Sequence, residues 1–308
     1  MTYPVSACCF IRNTFTGAFC LPESLASFLP LVSEAIIMDL GSDDGTLEAL
    51  RDISQSNPRV NVISMGSFPF IDANVFAALA NDLIAMCHYD NVLYWQADEI
   101  WHEDLLKLMA QRFERGEFDL SFWRIQYANN FQHVKWFPQL VHRVGIRGSN
   151  MNVGKNNFEF DGDGMNTTRM WDAKICSTYG GEYFPKWGDM GQDGIKPFTN
   201  EMITDVSLIG GFRDNIPERR RMHAPFWHEE PDIPYFDWVT KQQPRMSESE
   251  WMQTAMQDMD WTKPESPYNL PAILRYHVGK VKYELRPELL QVLKEDRDYV
   301  KEIYRMVD

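Results

Sequence analysis

Apolar runs and amphipathic stretches alternate along the first 125 residues of the chain. Short runs rich in Val, Ile, Cys and aromatic residues predict strands, and apolar residues recurring every three or four positions predict helices. The predicted strands are 5–11, 34–38, 60–63, 91–95 and 119–125, and the predicted helices are 22–29, 45–54, 76–87 and 102–115. Strands that alternate with helices indicate an α/β fold with a Rossmann-type, mostly parallel sheet flanked by helices.

The pattern becomes irregular from about residue 126 to residue 230, where Gly, Asn, Asp and aromatic residues dominate. Loops of this composition on a sheet scaffold commonly carry binding residues. Beyond them, 247–259 and 287–306 predict two C-terminal helices. We therefore expect a main domain, 1–230, with halves 1–125 and 126–230, and a C-terminal helical appendage, 231–308.

Composition and charge narrow the possible partners. The chain has 308 residues and a net charge of -14, which disfavours broad contact with a nucleic-acid backbone. Only Arg143, Arg147 and Arg219 to Arg221 hint at a basic groove. No apolar stretch approaches the length of a membrane span, and the N-terminus lacks a secretory pattern. We expect a cytoplasmic protein, or one in the host cytoplasm if the chain is viral.

The cysteines indicate a reducing compartment. There are five, an odd number, and none forms a C-x-x-C pair. This pattern predicts neither a structural zinc site nor a disulfide framework. Cys8 and Cys9 lie in an apolar segment and are expected to be small core residues.

Two carboxylates follow the predicted strand 91–95, in the sequence Gln96-Ala97-Asp98-Glu99. Ligands of open α/β sheets bind beyond the carboxyl ends of the strands. A divalent cation with phosphate oxygens would suit the charge of Asp98 and Glu99. The alternative is that both acids cap the helix that follows.

A second acidic strand end is Asp39, which precedes the turn 40–46. A carboxylate there can accept hydrogen bonds from a base or a ribose, and Gly41 and Ser42 allow a tight turn and close approach of a ligand. The alternative, a capped strand-to-helix turn, would explain Ser42, Asp44 and Thr46 but explains Asp39 less well.

These residues resemble motifs of the family 2-like glycosyltransferases, which have the GT-A fold. The "D-D-G-S-x-D-G-T" signature of that family is matched, with Leu40 in place of the second Asp, by Asp39, Gly41, Ser42, Asp44, Gly45 and Thr46. Arg12-Asn13 resembles the family's "x-N-E" turn, with Thr14 in place of the acid. The resemblance covers roughly residues 3–125.

Gln96-Ala97-Asp98-Glu99 is similar to the family's D-x-D element, with Gln96 at the first acid position. A Q-A-D-E version of this element is typical of a poorly characterised subgroup. The resemblance implies that Asp98 holds Mn²⁺ or Mg²⁺ and that a nucleotide-diphosphate sugar binds across the strand ends. The implied donor-binding residues are Arg12, Asn13, Asp39, Gly41, Ser42, Asp44, Gln96 and Ala97.

The family often places a further metal ligand and a catalytic base in its second half. The resemblance favours His223 over His228 as the additional ligand, because His223 precedes an aromatic-rich stretch. For the base of an inverting transfer, we favour Asp163 or Asp189 over the other two acids in Gly-rich context, Asp161 and Asp193.

Three functional interpretations stay open. The preferred one is a metal-dependent, inverting, hexosyltransferase-type enzyme that acts on a glycan, a glycolipid or a small molecule. The second is a glycosyltransferase that modifies a hydroxymethylated nucleic-acid base, which needs the positive groove that the net charge disfavours. The third is a non-catalytic domain that binds a nucleotide sugar.

Overall fold

The computed structural model describes residues 2–15, 19–66, 73–128, 133–135, 139–147, 203–208, 261–262, 270–278 and 283–297. The strands in these ranges are β1 (Tyr3–Ile11), β2 (Val32–Asp39), β3 (Val60–Ser64), β4 (Asn91–Tyr94), β5 (Glu99–Trp101), β6 (Leu120–Ala128), β7 (His133–Lys135), β8 (Gln139–Ile146), β9 (Ile203–Leu208) and β10 (Trp261–Thr262). The helices are α1 (Leu21–Phe28), α2 (Thr46–Ser56), α3 (Ala73–Met86), α4 (Glu103–Glu114), a 3-10 helix (Ala272–His277) and α5 (Pro287–Lys294). None of these helices is long and apolar enough to cross a membrane.

One sheet organises the molecule, and its main path runs β10-β7-β6-β8-β4-β1-β2-β3. The strands β3, β2, β1 and β4 are parallel neighbours. β8 joins this block antiparallel to β4, and β6 pairs antiparallel with β8. The short strand β5 pairs with β9, which also pairs parallel with β6. The prediction of an α/β fold with a mostly parallel sheet flanked by helices is therefore confirmed.

The two faces of the sheet are covered by different helices, because successive strand residues point to opposite sides. On one face, Ala7 and Cys9 of β1 belong to a core that includes apolar residues of α1, α2, α4 and α5. On the other face, Cys8 packs with Ile36 and Met38 of β2 and with α3. Cys8 and Cys9 are both buried, as their apolar context predicted.

The described C-terminal residues pack on the first half of the chain. α5 buries Leu289, Val292 and Leu293 and contacts α1 and α2. The sequence pattern predicted a helix from 287 to 306, but α5 ends at Lys294. Asp296 has a φ of 51°, in the left-handed region that interrupts a helix, and its carboxylate accepts hydrogen bonds from Asn57 and Arg59. The predicted domain boundary at residue 230 stays a prediction, and the predicted helix 247–259 lies outside the described residues.

The chain after β4 differs from its sequence-based interpretation. A turn and the strand β5 separate β4 from α4, where the pattern had predicted a direct passage into the helix. The N-cap of α4 is His102, whose Nδ1 accepts a hydrogen bond from the backbone N–H of Asp104 at 3.1 Å. The alternative that Asp98 and Glu99 cap this helix is therefore wrong.

Candidate functional site

The loops that follow β1, β2 and β4 meet at one edge of the sheet. Ile11 pairs with Asp39 and Cys8 pairs with Tyr94, so the three parallel strands end side by side. The donor-binding residues predicted in the described part of the chain lie in or directly before these loops. They are Arg12, Asn13, Asp39, Gly41, Ser42, Asp44, Gln96 and Ala97, and the predicted metal ligand Asp98 lies beside them.

The loops after β1 and β2 are joined by hydrogen bonds of Asn13. Its backbone N–H donates to Oγ of Ser42 at 2.8 Å, and its side-chain Oδ1 accepts from the backbone N–H of Asp43 at 2.9 Å. Asn13 has a φ of 50°, a left-handed conformation that Asn tolerates better than most residues. The two motifs that carry the family resemblance on these loops are thus direct partners.

Thr46 makes the second connection between these loops. Its buried hydroxyl accepts from the backbone N–H groups of Thr14 at 3.1 Å and Phe15 at 3.3 Å, and lies 3.0 Å from the Thr14 hydroxyl. Asp44 Oδ1 accepts from the backbone N–H of Thr46 at 3.0 Å, as expected before the first turn of α2. The capped-turn interpretation therefore accounts for these contacts of Asp44 and Thr46.

The two carboxylate oxygens of Asp39 lie in different environments. Its Oδ1 accepts from the backbone N–H groups of Gly41 and Ser42, both at 3.0 Å. Its Oδ2 is buried and has no hydrogen-bond partner among the described residues. An unpartnered buried acceptor is costly, so a group that donates to it gains binding energy. A capped turn needs only Oδ1 and does not explain Oδ2.

The turn after β4 is built on buried charge. The backbone N–H of Glu99 donates to the carbonyl oxygen of Gln96 at 3.0 Å and closes the turn. The fully buried Glu99 carboxylate accepts from Nε of Arg143 at 2.9 Å, from Nη2 of Arg143 at 2.8 Å and from Nη1 of Arg124 at 3.0 Å. A buried carboxylate needs such partners, and this geometry assigns Glu99 a structural role.

Gln96 is held by the same two arginines. Its Oε1 accepts from Nη1 of Arg124 at 3.0 Å and from Nη2 of Arg143 at 3.4 Å. These contacts occupy the amide oxygen of Gln96, so this oxygen is not presented to a metal ion.

Asp98 is partly exposed, unlike its neighbour Glu99. Its carboxylate lies close enough to β1 to affect the Cys9 thiol. Burial raises the pKa of Cys9 well above its usual value, and the Asp98 and Glu99 carboxylates raise it further. Beneath the turn, the hydroxyl of Ser24 on α1 donates to the carbonyl oxygen of Glu99 at 2.7 Å. Asp98 is thus the carboxylate that this rigid turn presents towards solvent.

Several predicted residues lie outside the described part of the chain. They are the candidate bases Asp161, Asp163, Asp189 and Asp193, the candidate ligands His223 and His228, and the basic run Arg219 to Arg221. Their predicted roles stay predictions.

The two other arginines that hinted at a basic groove do not form one. Arg143 is fully buried against Glu99, so it cannot contact a nucleic-acid backbone. Arg147 follows β8, and its Nη2 pairs with Asp90 at 2.7 Å before β4 begins, at the edge of the sheet opposite the site. The hint from this pair was wrong, because a count of basic residues does not reveal which are paired internally.

Sequence reasoning missed the roles of Arg124 and Arg143, although a signal was present. Each arginine interrupts an apolar strand, in Phe122-Trp123-Arg124-Ile125 and Leu140-Val141-His142-Arg143-Val144. Arginine is seldom fully buried unless it is paired, so its presence inside an apolar strand predicts a buried acid. Pairing each arginine with Glu99 would still have required the fold.

Comparisons with known proteins give one family match and weak similarities to solved structures. The family model "Glycosyl transferase family 2" matches residues 14–171, a little over half of the chain. None of the curated proteins matches the chain. Among solved structures, the crystal structure of S. aureus TarS 1-349 has 11% identity and a TM-score of 0.36, covering 99% of this chain and 92% of that one. The same fragment in complex with UDP has 12% identity and a TM-score of 0.30, with the same coverage.

Proposed function

Because the chain belongs to glycosyl transferase family 2, we propose that it transfers a hexose from a nucleoside-diphosphate sugar to an acceptor hydroxyl with the help of Mn²⁺ or Mg²⁺. The acceptor class that we favour is a glycan, a glycolipid or a small molecule. We also place the chain in the subgroup in which a Q-A-D-E turn replaces D-x-D.

The observation that carries this proposal is the unpartnered Oδ2 of Asp39. It lies at the end of β2, next to the β1 loop that carries Arg12 and Asn13. The imide N–H of a base or a hydroxyl of a ribose can donate to it, while Oδ1 stays fixed by Gly41 and Ser42. The nucleoside would therefore lie over the ends of β1 and β2.

The diphosphate would extend from the nucleoside towards the turn after β4. There Gln96 would donate a hydrogen bond to a phosphate oxygen, oriented by the arginines that hold its amide oxygen. Ala97 lies between Gln96 and Asp98, where a small residue lets the diphosphate approach the backbone. This turn would need little rearrangement on binding, since its ion pairs are already formed.

Among the described residues of the site, the partly exposed carboxylate of Asp98 is a suitable ligand for a hard divalent cation. We propose His223 as a further ligand, because a single carboxylate binds such ions weakly. When bound, the cation would stabilise the negative charge that develops on the leaving diphosphate. An acid of the second half, Asp163 or Asp189, would accept the proton of the attacking acceptor hydroxyl, as an inverting transfer requires.

The experiment is a binding and hydrolysis panel. Nucleoside diphosphates and their sugars are titrated by calorimetry in the presence of Mn²⁺, and slow hydrolysis of each donor sugar is followed in parallel. Asp39→Asn keeps an oxygen for Gly41 and Ser42 but replaces the unpartnered oxygen with a donor. We expect it to weaken nucleotide binding about tenfold to a hundredfold.

Asp43→Asn is the matched control, because it makes the same change on an exposed neighbour in the same loop. It should bind the nucleotide as the wild type does. Asp98→Asn should retain the nucleoside contact but lose the dependence on Mn²⁺. Absence of binding by every nucleotide would contradict the proposal, and binding without any donor hydrolysis or transfer would favour a non-catalytic domain. Salt-sensitive retention on hydroxymethylated DNA would favour the nucleic-acid acceptor instead.

A further inference from the structure

A second cluster of ligand-type side chains lies at the N-terminal end of α1, away from Asp98. It consists of Cys20, Glu23 and His277, each of which offers one donor atom within 4.8 Å of the others. Cys20 is the N-cap of α1, and Glu23 lies in its first turn. His277 is the last residue of the 3-10 helix. Among the residues that the structure describes, no other group of His, Cys, Asp and Glu has this spacing.

All three side chains are removed from solvent. Glu23 is completely buried, and the exposed fractions of Cys20 and His277 are 3% and 4%. Glu23 Oε1 lies 2.9 Å from Nε2 of His277, and its Oε2 accepts from the Tyr283 hydroxyl at 3.1 Å. The cluster is therefore closed and contains groups that could carry negative charge.

One atom of this cluster is not accounted for by hydrogen bonding. The Nδ1 of His277 is buried and has no partner among the described residues. A hydrogen bond between His277 and Glu23 explains the position of Nε2 only. Imidazole ligates metals through either ring nitrogen. His277 therefore offers an unpartnered buried nitrogen in a cluster that also contains a buried thiol and a buried carboxylate, and a metal ion can complete such a cluster.

We propose that Cys20, Glu23 and His277 bind a structural Zn²⁺ ion. A thiolate, an imidazole and a carboxylate are the ligand types that zinc combines, whereas Mg²⁺ and Ca²⁺ prefer oxygen alone. Binding needs the thiolate of Cys20 and a neutral imidazole, so the thiol proton and any imidazolium proton pass to solvent. The Tyr283 hydroxyl lies beside the same carboxylate, within the cluster that would enclose the ion.

The ion would tie the C-terminal segment to the edge of the sheet that carries the donor site. Glu23 precedes Ser24, whose hydroxyl supports the Gln96–Glu99 turn at the Glu99 carbonyl oxygen. On the other side, the backbone N–H of Ala272, at the start of the 3-10 helix, donates to Glu103 Oε1 of α4 at 2.6 Å. The zinc would therefore support the donor site from below without contacting a substrate.

The test uses the full chain purified without chelators. Metal analysis should find about one equivalent of zinc per chain, and removal of zinc by a chelator should lower the melting temperature, which added Zn²⁺ restores. Replacement by Co²⁺ should give the near-ultraviolet charge-transfer band of a cobalt–thiolate bond. If the wild-type chain takes up no zinc and its melting temperature does not change after chelation, the proposal is overturned. This test needs no variant.

Three variants locate the ion. Cys20→Ser should lose the cobalt–thiolate band and bind zinc at least about tenfold more weakly. Cys87→Ser, which removes a different buried thiol, should keep both the band and the zinc. Asp98→Asn should also keep the zinc, because the proposed Mn²⁺ or Mg²⁺ site is separate. Equal zinc binding by Cys20→Ser and the wild type, or loss of zinc in Asp98→Asn, would overturn the assignment.

Discussion

The two loops that frame the candidate donor site are held in opposite ways. Apart from the Asp39 and Asp44 carboxylates, which accept from backbone N–H groups, the Asp39–Thr46 loop rests on hydrogen bonds between uncharged groups, such as that between Asn13 and Ser42. The Gln96–Glu99 turn rests on a fully buried carboxylate between two arginines. Both loops end parallel strands of one sheet, so the difference lies in the side chains and not in the fold.

This difference has an energetic consequence. Loss of one neutral hydrogen bond costs little, because each partner can be replaced by water or by a small shift. Loss of one member of a buried ion pair leaves a charge without compensation in a medium of low polarity. We therefore expect the turn after β4 to be intolerant of substitution and the loop after β2 to be tolerant.

Arg143→Met should have the largest effect. Methionine fills much of the same volume, but Glu99 would lose its three hydrogen bonds from Arg143 and keep the one from Arg124 and the one from the backbone N–H of Gln96. We expect the free energy of unfolding, measured by urea denaturation, to fall by about 3–5 kcal/mol. Nucleotide affinity should also fall, because Gln96 would lose one of its two anchors.

Arg147→Met is the matched control for that change. Arg147 follows β8, the strand that contains Arg143, but its salt-bridge partner Asp90 is largely exposed, and its other hydrogen bonds go to the uncharged carbonyl oxygens of Ala85 and Cys87. We expect a loss of about 1 kcal/mol or less. Equal losses in the two variants would show that the Glu99 network is no more sensitive than a surface ion pair, and the contrast between the loops would fail.

Substitution of Thr46 tests the uncharged hydrogen bonds of the Asp39–Thr46 loop. Thr46→Val keeps the shape of the side chain but removes the acceptor for the N–H groups of Thr14 and Phe15. We expect a loss of about 1–2 kcal/mol in the free energy of unfolding, because the Thr14 N–H is buried. Thr46→Ser keeps the hydroxyl and should lose less. If Thr46→Val lowered the free energy of unfolding as much as Arg143→Met does, the two loops would be equally sensitive to substitution.

The comparison also separates what the sequence could predict from what it could not. The strands β1 to β4 were predictable, because each is a nearly continuous apolar run between helices with an apolar stripe. The contact of Asn13 with Ser42 was not predicted, although the resemblance named both as donor-binding residues. β5 was missed, because a strand of three residues that begins with a glutamate has no recognisable period.

Ion pairs between distant segments were beyond the reach of the sequence. Glu99 is 25 positions from Arg124 and 44 from Arg143, and Glu23 is 254 positions from His277. Periodicity indicates which face of a segment is buried, but not which distant segment covers it. For the same reason, the absence of a C-x-x-C pair led to an expectation of no structural zinc site, whereas the fold brings Cys20, Glu23 and His277 together.

Glu34 is another buried carboxylate, and its contacts differ from those of Asp39 and Glu99. We expect its substitution to have the smallest effect on stability. Glu34 lies at the opposite edge of the sheet, where Oε1 accepts from the Ser6 hydroxyl at 2.5 Å and from the backbone N–H of His88 at 2.8 Å. Burial alone would raise the pKa of Glu34, but the hydrogen bonds from Ser6 and His88 outweigh it and hold the pKa below the usual value of 4.5. The ionised form is therefore favoured by folding.

A carboxylate whose pKa is lower in the folded state contributes stability above its unfolded pKa and loses that contribution as the pH falls through its folded pKa. We therefore expect Glu34→Gln to be less stable than the wild type at pH 7, and the difference to shrink as the pH falls below about 4.5. Urea denaturation across this range measures it, with Glu48→Gln, an exposed glutamate on α2, as the control. A difference that stays constant down to pH 3 would mean that Glu34 stabilises by packing, and that Ser6 and His88, whose ring Nδ1 lies 2.6 Å from Oε2, do not hold the carboxylate in its ionised form.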